Sequence, residues 1–99
     1  MIANSVIKKS GGSGNKMYGI SYTFGELDEA ASQLVTEGTP GDIISVSASC
    51  FLPTNTGDAE VETVNGTIIP ANITTSWVSK WYTYEITFVM PSEDVTIHN

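Results

Sequence analysis

Two long segments of the chain alternate between apolar and mostly polar side chains. In the first segment every second residue is apolar, namely Ile44, Val46, Ala48 and Cys50. In the second segment the alternating apolar residues are Tyr82, Tyr84, Ile86, Phe88 and Met90. A repeat of two residues belongs to a β-strand that buries one face and exposes the other. The two segments therefore predict two long strands at the centre of a β-fold.

Shorter segments of the same kind lie on either side of these two. Tyr18–Phe24 has the same alternation and predicts the first strand. Val61–Val64 and Thr67–Ile69 flank the dipeptide Asn65-Gly66. Asn-Gly between β-rich runs is typical of a two-residue hairpin turn in which both central residues have positive φ. The sequence therefore predicts a hairpin here.

The number and spacing of the strands favour one architecture. We interpret residues 72–79 as a connection or an irregular edge strand, and residues 95–97 as a short final strand. Six or seven short strands predict an all-β domain, a small antiparallel β-sandwich of Ig-like type. Because apolar residues between 26 and 34 also occur at helical spacing, a β-grasp-like variant with one short helix there is an alternative to a loop.

The chain is expected to consist of an arm and one domain. Residues 1–16 form a basic arm that ends in the linker Gly-Gly-Ser-Gly-Asn-Lys, whose composition is typical of a flexible segment. Residues 17–99 are expected to form a single β domain. The N-terminus lacks the charge-then-apolar order of a secretory signal. A chain that starts at its natural Met1 would therefore be made in the cytoplasm.

The distribution of charge disfavours anionic partners. The net charge is −7, from four lysines, no arginine and eleven acidic residues. Residues 1–16 carry +3 and residues 17–99 carry −10. An acidic body repels phosphate, and without arginine the bidentate recognition of bases and phosphates is missing. We therefore expect no nucleic-acid partner and no binding to an anionic membrane.

Few residues in the chain are suited to catalysis or to metal binding. Cys50 and His98 are the only cysteine and the only histidine, which is too few for a zinc site or a catalytic triad. We expect no enzyme and no cofactor. Asp58, Glu60 and Glu62 recur at a spacing of two and are candidate Ca²⁺ ligands together with Asn55 or Asp42; the alternative is a solvated strand face.

A motif near the end of the chain points to a known family. The motif is an aromatic strand, then Met-Pro, two residues, Asp-Val and a short strand, with matching residues Phe88, Met90, Pro91, Asp94, Val95 and Ile97. It resembles the closing motif of bacterial InlB-B-like repeat domains, and Gly41–Ala48 is similar to an earlier strand of the same repeats. The resemblance covers roughly residues 17–99. It implies a spacer or adhesive unit of adhesins, surface proteins or phage virion proteins.

Two groups of residues are candidates for partner binding. Trp77 and Trp81 are expected on the strand face opposite Tyr82 and Tyr84, where an exposed tryptophan pair would form a binding patch. The second group lies in the arm, which could add as a strand to the edge of a neighbour. Its residues are Ile2, Val6, Ile7, Lys8 and Lys9.

We therefore expect a non-enzymatic attachment module. Its partners would be proteins of a larger assembly, with a second copy of this chain as an alternative, and it would be located in a virion or at a cell surface. The single copy of the motif in this chain favours a decoration or accessory protein over a stalk unit. One alternative is an acidic inhibitor that mimics nucleic acid, which would need a row of acids on one face. The other is a carbohydrate-binding adhesin domain, which would need an exposed aromatic platform beside acids.

Overall fold

The structure is a computed structural model, and it describes residues 16–99. The arm residues Ile2, Val6, Ile7, Lys8 and Lys9 lie outside the described residues. The strands are β1 (Tyr18–Thr23), β2 (Glu37–Gly38), β3 (Ile43–Phe51), β4 (Glu60–Thr63), β5 (Ile68–Ile69), β6 (Ala71–Val78), β7 (Trp81–Val89) and β8 (Val95–His98). The described part of the chain contains no helix, and hence none that could span a membrane. The predicted all-β fold is confirmed.

The strands form two sheets. The first has the order β2-β1-β8-β4-β5, and the second has the order β3-β7-β6. Most neighbours are antiparallel, as predicted, but β1 and β8 pair in parallel, with Ile20 opposite Val95 and Tyr22 opposite Ile97. Two strands so far apart in the chain are joined by no hairpin, so local sequence does not determine their relative direction.

The core lies between the two sheets. Both long alternating segments place their apolar residues in it, so the predicted core face is confirmed. Its buried members come from both sheets: Ile20, Ile44, Val46, Ala48, Cys50, Ala59, Val61, Tyr84, Ile86, Phe88, Met90, Val95 and Ile97. We call the face of the three-stranded sheet that contacts this core its inner face, and the opposite, solvent-facing side its outer face.

The segment from residue 26 to residue 34 is irregular, so the short helix considered there is wrong. Leu27 forms an isolated bridge with Cys50, and Gln33 forms another with Ser47. The Gln33 amide donates to the Ser47 carbonyl at 2.8 Å, and the Ser47 amide donates back at 2.9 Å. These bonds satisfy the outward backbone groups of β3, so this segment covers the β3 edge of the three-stranded sheet.

The hairpin between β4 and β5 contains the predicted Asn-Gly turn in a different form. The Gly66 amide donates to the Thr63 carbonyl at 2.9 Å, and the Thr63 amide donates to the Thr67 carbonyl at 2.8 Å. Gly66 has φ of 88°, whereas Asn65 is not among the residues with positive φ. The loop therefore has three residues and ends in a glycine bulge, and the two-residue turn expected from Asn65-Gly66 is wrong.

The Met-Pro ending joins several strands. Met90 is buried, its amide donates to the Asp42 carbonyl at 2.8 Å, and its carbonyl accepts from the Gly41 amide at 2.9 Å. The Asp94 carboxylate accepts a hydrogen bond from the Gly19 amide at 2.7 Å. Asp94 therefore holds the start of β1 beside the turn that precedes β8, which supports the parallel pairing of these two strands.

Candidate docking surface at the open edge of the three-stranded sheet

The strand β6 is the outermost strand of its sheet. It pairs with β7 on one side, and no other strand of the described residues pairs with its second side. Its eight residues, Ala-Asn-Ile-Thr-Thr-Ser-Trp-Val, include no charge and no proline. Edge strands are usually protected by charges, prolines, bulges or short length, because their free backbone groups can pair with another chain. We call this unprotected side of Ala71–Val78 the open edge.

Pro70 explains how the chain reaches the open edge. Just before it, Ile69 pairs with Val61 in the five-stranded sheet. Just after it, Ala71 pairs with Phe88 in the three-stranded sheet. Proline donates no backbone hydrogen bond and so ends the first ladder. The chain thus crosses from one sheet to the other at this residue, and β6 continues as a strand whose second side is free.

The side chains of β6 alternate between the two faces. On the inner face Ile73 lies opposite Ile86, Thr75 opposite Tyr84 and Trp77 opposite Tyr82. On the inner face of β6, only the residues near the start of the strand are covered: Ile73 is half-buried, whereas Thr75 and Trp77 are exposed. A cleft of about 450 Å³ follows, lined by Asp58, Ala59, Glu60, Ile73 and Thr75. The two sheets therefore separate along the open edge.

The two tryptophans lie on opposite faces of the sheet. Trp81 is opposite Phe51 and Val78, on the outer face, as predicted. Trp77 is opposite Tyr82 and so shares the inner face with it. Directly opposed residues of an antiparallel pair project to the same side, so the expectation that both tryptophans lie opposite Tyr82 is wrong for Trp77. The two indoles do not form one patch.

Trp77 is nevertheless well placed for contact. Its side chain is 70% exposed, and its indole N–H donates to the Ser79 carbonyl at 2.8 Å. Ser79 has φ of 56° and stands in the tight turn before β7. The ring is thus held by its own hairpin while its surface faces solvent. A large aromatic ring that is already ordered loses little entropy on binding.

The outer face ends in a second apolar group beside the same turn. Phe51 and Trp81 pack edge to face, with ring centroids 5.2 Å apart. Val78 lies directly opposite Trp81, so Phe51, Trp81 and Val78 form one row across the three strands; Val78 is 69% exposed. The end of the sheet near Ser79 therefore presents apolar surface on both of its faces.

The acidic candidates for Ca²⁺ binding are not brought together as a ligand set. Asp58 lies in the cleft beside β6, whereas Glu62 lies 2.9 Å from the His98 Nε2 atom. Glu60 is 3.9 Å from the same nitrogen. Within residues 16–99 no group of three or more acidic, histidine or cysteine side chains could hold a metal ion. Asn55 and Asp42 instead make turn contacts, to the Gly57 and Thr39 amides.

The thiol and the imidazole are on different sheets. Cys50 is on β3 and fully buried, and burial raises the pKa of its thiol. His98 is on β8, paired with Glu60 of β4, on the other sheet. No described strand carries more than the two acids of β4.

The sequence allowed an edge strand over residues 72–79 as one of two interpretations, and the structure has an edge strand there; the sequence did not identify the cleft. Thr74, Thr75 and Ser76 follow one another on β6, so the apolar alternation that marks β3 and β7 is interrupted there. The turn at Ser79-Lys80 contains neither glycine nor asparagine, so no turn signal separated the two strands. The sequence feature that indicates a strand here is the run of β-branched residues after Pro70.

Comparison of the chain with known proteins finds no similar protein. No family model matches the chain, and neither a curated protein nor a solved structure matches it.

Proposed function

We propose that this protein is a non-enzymatic attachment module that joins a larger protein assembly, a phage particle or a cell-surface structure, through the open edge of β6. The observation that carries the proposal is an eight-residue edge strand without a charge, which includes an exposed and ordered tryptophan. Such an edge accepts an extended segment through main-chain hydrogen bonds, and side-chain pockets then add specificity.

The surroundings of the edge support the same proposal. A segment added to β6 would lie over the cleft, where Ile73 and Thr75 offer a small apolar and hydroxyl surface. Trp77 would contact the partner at one end of the segment. Tryptophan is among the residue types that most often dominate the binding free energy of an interface. The resemblance to InlB-B-like repeats agrees with a structural role of this kind.

The chemistry of the edge also defines the partner. Residues 16–99 contain eleven acids and two lysines, a net charge of −9, and Asp58 and Glu60 line the cleft. A partner segment should therefore be apolar with neutral or basic flanks. The basic arm of the chain, with Ile2, Val6, Ile7, Lys8 and Lys9, has this composition, and we propose that it adds as a strand to the edge of a neighbouring protein of the assembly.

Charge placed on the edge tests the proposal. Thr75→Lys adds a cation to the exposed inner side of β6, and Ser45→Lys adds the same charge on the outer face of β3. The tagged chain would be produced in its source cells, and its sedimentation with large particles compared across variants. We expect wild type and Ser45→Lys in the particle fraction and Thr75→Lys released. Wild-type protein that stays unassembled, or Thr75→Lys that remains attached, would refute the proposal.

A carbohydrate-binding domain is the second candidate, favoured by the fixed and exposed indole of Trp77 near the acid-lined cleft. Sugars stack on such rings, and carboxylates accept hydrogen bonds from sugar hydroxyls. Calorimetric titration with a panel of soluble oligosaccharides tests it, because this readout does not depend on either tryptophan. Binding that is lost in Trp77→Ala and kept in Trp81→Ala would support this function, and no heat of binding across the panel at two temperatures would exclude it for those sugars.

A further inference from the structure

We propose that the open edge of β6 pairs with the open edge of a second copy of this chain, antiparallel and about a twofold axis that passes Thr75. The proposal rests on the attachment function above and names one partner for that edge. Its result would be a continuous six-stranded sheet with the order β3-β7-β6 followed by β6-β7-β3 of the second copy.

Symmetry restricts the possible registers. Two antiparallel edge strands related by a twofold axis perpendicular to the sheet keep the same face on the same side. The numbers of two directly opposed residues must then add to an even number. The axis passes beside one residue, which lies directly opposite the same residue of the second copy. Centres at Ile73 or Ser76 leave only five residues of the eight-residue strand in the shared ladder, whereas centres at Thr74 or Thr75 leave seven.

Side-chain pairing separates the two remaining registers. With the axis at Thr75, each Trp77 lies opposite the Ile73 of the second copy, and Thr74 lies opposite Ser76 on the other face. With the axis at Thr74, Trp77 would face Ala71. An aromatic side chain opposite a β-branched one is among the favourable cross-strand pairs. The Thr75 register therefore covers the exposed indole with the half-buried isoleucine and closes both copies of the cleft.

Charge permits this contact but does not drive it. The described residues carry −9 per copy, so two bodies repel each other at low ionic strength. The strand itself has no charge, so no like charges face each other across the ladder. The interface consists of one strand pair and two indoles, which places it at the small end of specific interfaces, below about 1,200 Å². We therefore expect a dimer that depends on protein concentration and strengthens with added salt.

Single cysteines introduced along β6 of the full chain test the register. Asn72→Cys, Thr74→Cys, Thr75→Cys and Ser76→Cys would be oxidised with diamide and the disulfide-linked dimer measured. Opposed residues have Cα atoms about 4.5–5.5 Å apart, within disulfide range. For Thr74→Cys and Ser76→Cys the self-distance is a diagonal of about 7–8 Å. Native Cys50 is fully buried and should not react.

We expect Thr75→Cys to give at least five-fold more cross-linked dimer than its neighbours. The exposed Ser45→Cys on the outer face of β3 serves as the control for random collision. A maximum at Thr74→Cys, or yields for all variants equal to that of Ser45→Cys, would overturn the proposed axis.

Self-association without cross-linking provides the second measurement. In sedimentation equilibrium we expect Trp77→Ser to weaken the dimer at least ten-fold, and Ile43→Ser, an equally exposed apolar residue at 75% against 70%, to leave it within two-fold. A monomer at every concentration and salt level would refute the second copy as partner. If the particle experiment with Thr75→Lys still succeeded, the attachment function would stand and only the identity of the partner would fall.

Discussion

Replacing Tyr84 by phenylalanine should destabilise the fold through one buried hydroxyl. Tyr84 is 1% exposed. Its hydroxyl donates to the Gly57 carbonyl at 2.7 Å and lies 3.3 Å from the Asn55 carbonyl. It also accepts from the Asn99 side-chain amide at 3.2 Å. One side chain therefore joins β7, the loop before β4 and the C-terminus.

The magnitude follows from these contacts. Loss of the short bond to Gly57 removes about 1 kcal/mol of net hydrogen-bond energy, and because Gly57 is exposed, water can replace the hydroxyl at its carbonyl. Asn99 keeps its 2.6 Å bond to the Asn55 carbonyl, so its loss is small. The phenylalanine ring keeps the packing against Phe24, whose ring centroid is 5.1 Å away. We expect a free energy of unfolding lower by about 1 kcal/mol.

Urea unfolding followed by circular dichroism measures this loss. The midpoint should fall while the slope with urea concentration stays constant, because the surface exposed on unfolding barely changes. For a domain of this size the melting temperature should drop by about 5 °C. Tyr82→Phe is the matched control, since Tyr82 is only half-buried on the same face of β7. A change below about 0.5 kcal/mol for Tyr84→Phe would refute the reasoning.

Three further predictions concern backbone and titration. Gly66→Ala should cost about 1–2 kcal/mol in urea unfolding, because φ of 88° is unfavourable for a residue with a Cβ atom. Asp94→Ala should cost about 1 kcal/mol by the same assay, since the Gly19 amide loses its partner. Burial raises the pKa of the Tyr22 and Tyr84 hydroxyls above the ordinary value of 10.0. The stability from these groups is complete below pH 10 and is lost as pH rises through their folded-state pKa values, so the urea midpoint should fall above pH 10, and fall less steeply in Tyr84→Phe.

The parts of the fold that local patterns control were predictable. The strands β3 and β7 follow from strict alternation, and the structure pairs them along their full length, from Ile43 opposite Val89 to Phe51 opposite Trp81. Their alternation places Tyr84 and Ile86 in the core because only one register buries the apolar set. The turn at Gly66 was located correctly, although its type depends on how the flanking strands are bonded.

The parts that depend on distant contacts were not predictable. Helical spacing of apolar residues around Leu27 suggested a helix, but bonds from this segment to the edge of β3 satisfy its backbone instead. The parallel pairing of Ile20 with Val95 joins the first and last strands of the domain, and neither strand carries a signal for the other. An edge strand over residues 72–79 was one of two interpretations of the sequence, but its regularity and its free second side did not follow, since a strand that is exposed on much of both faces lacks the alternation by which strands are recognised.

The open edge and the acidity of the molecule act together. Electrostatic repulsion between whole bodies reaches over a Debye length of about 8 Å at physiological salt, whereas paired strands lie about 4.8 Å apart. Repulsion of this range slows the approach of any acidic protein. The strand at the edge carries no charge, however, so it does not repel a segment with neutral or basic residues. The charge of the body thus selects partners for an edge that carries no charge itself.

A second copy must overcome the repulsion between two acidic bodies. A segment such as residues 1–9, with Lys8 and Lys9 and no acid, would instead be attracted by the acidic body. Pairing between copies and capture of a basic strand would therefore compete for the same edge, and higher salt should shift that competition toward the pairing of copies.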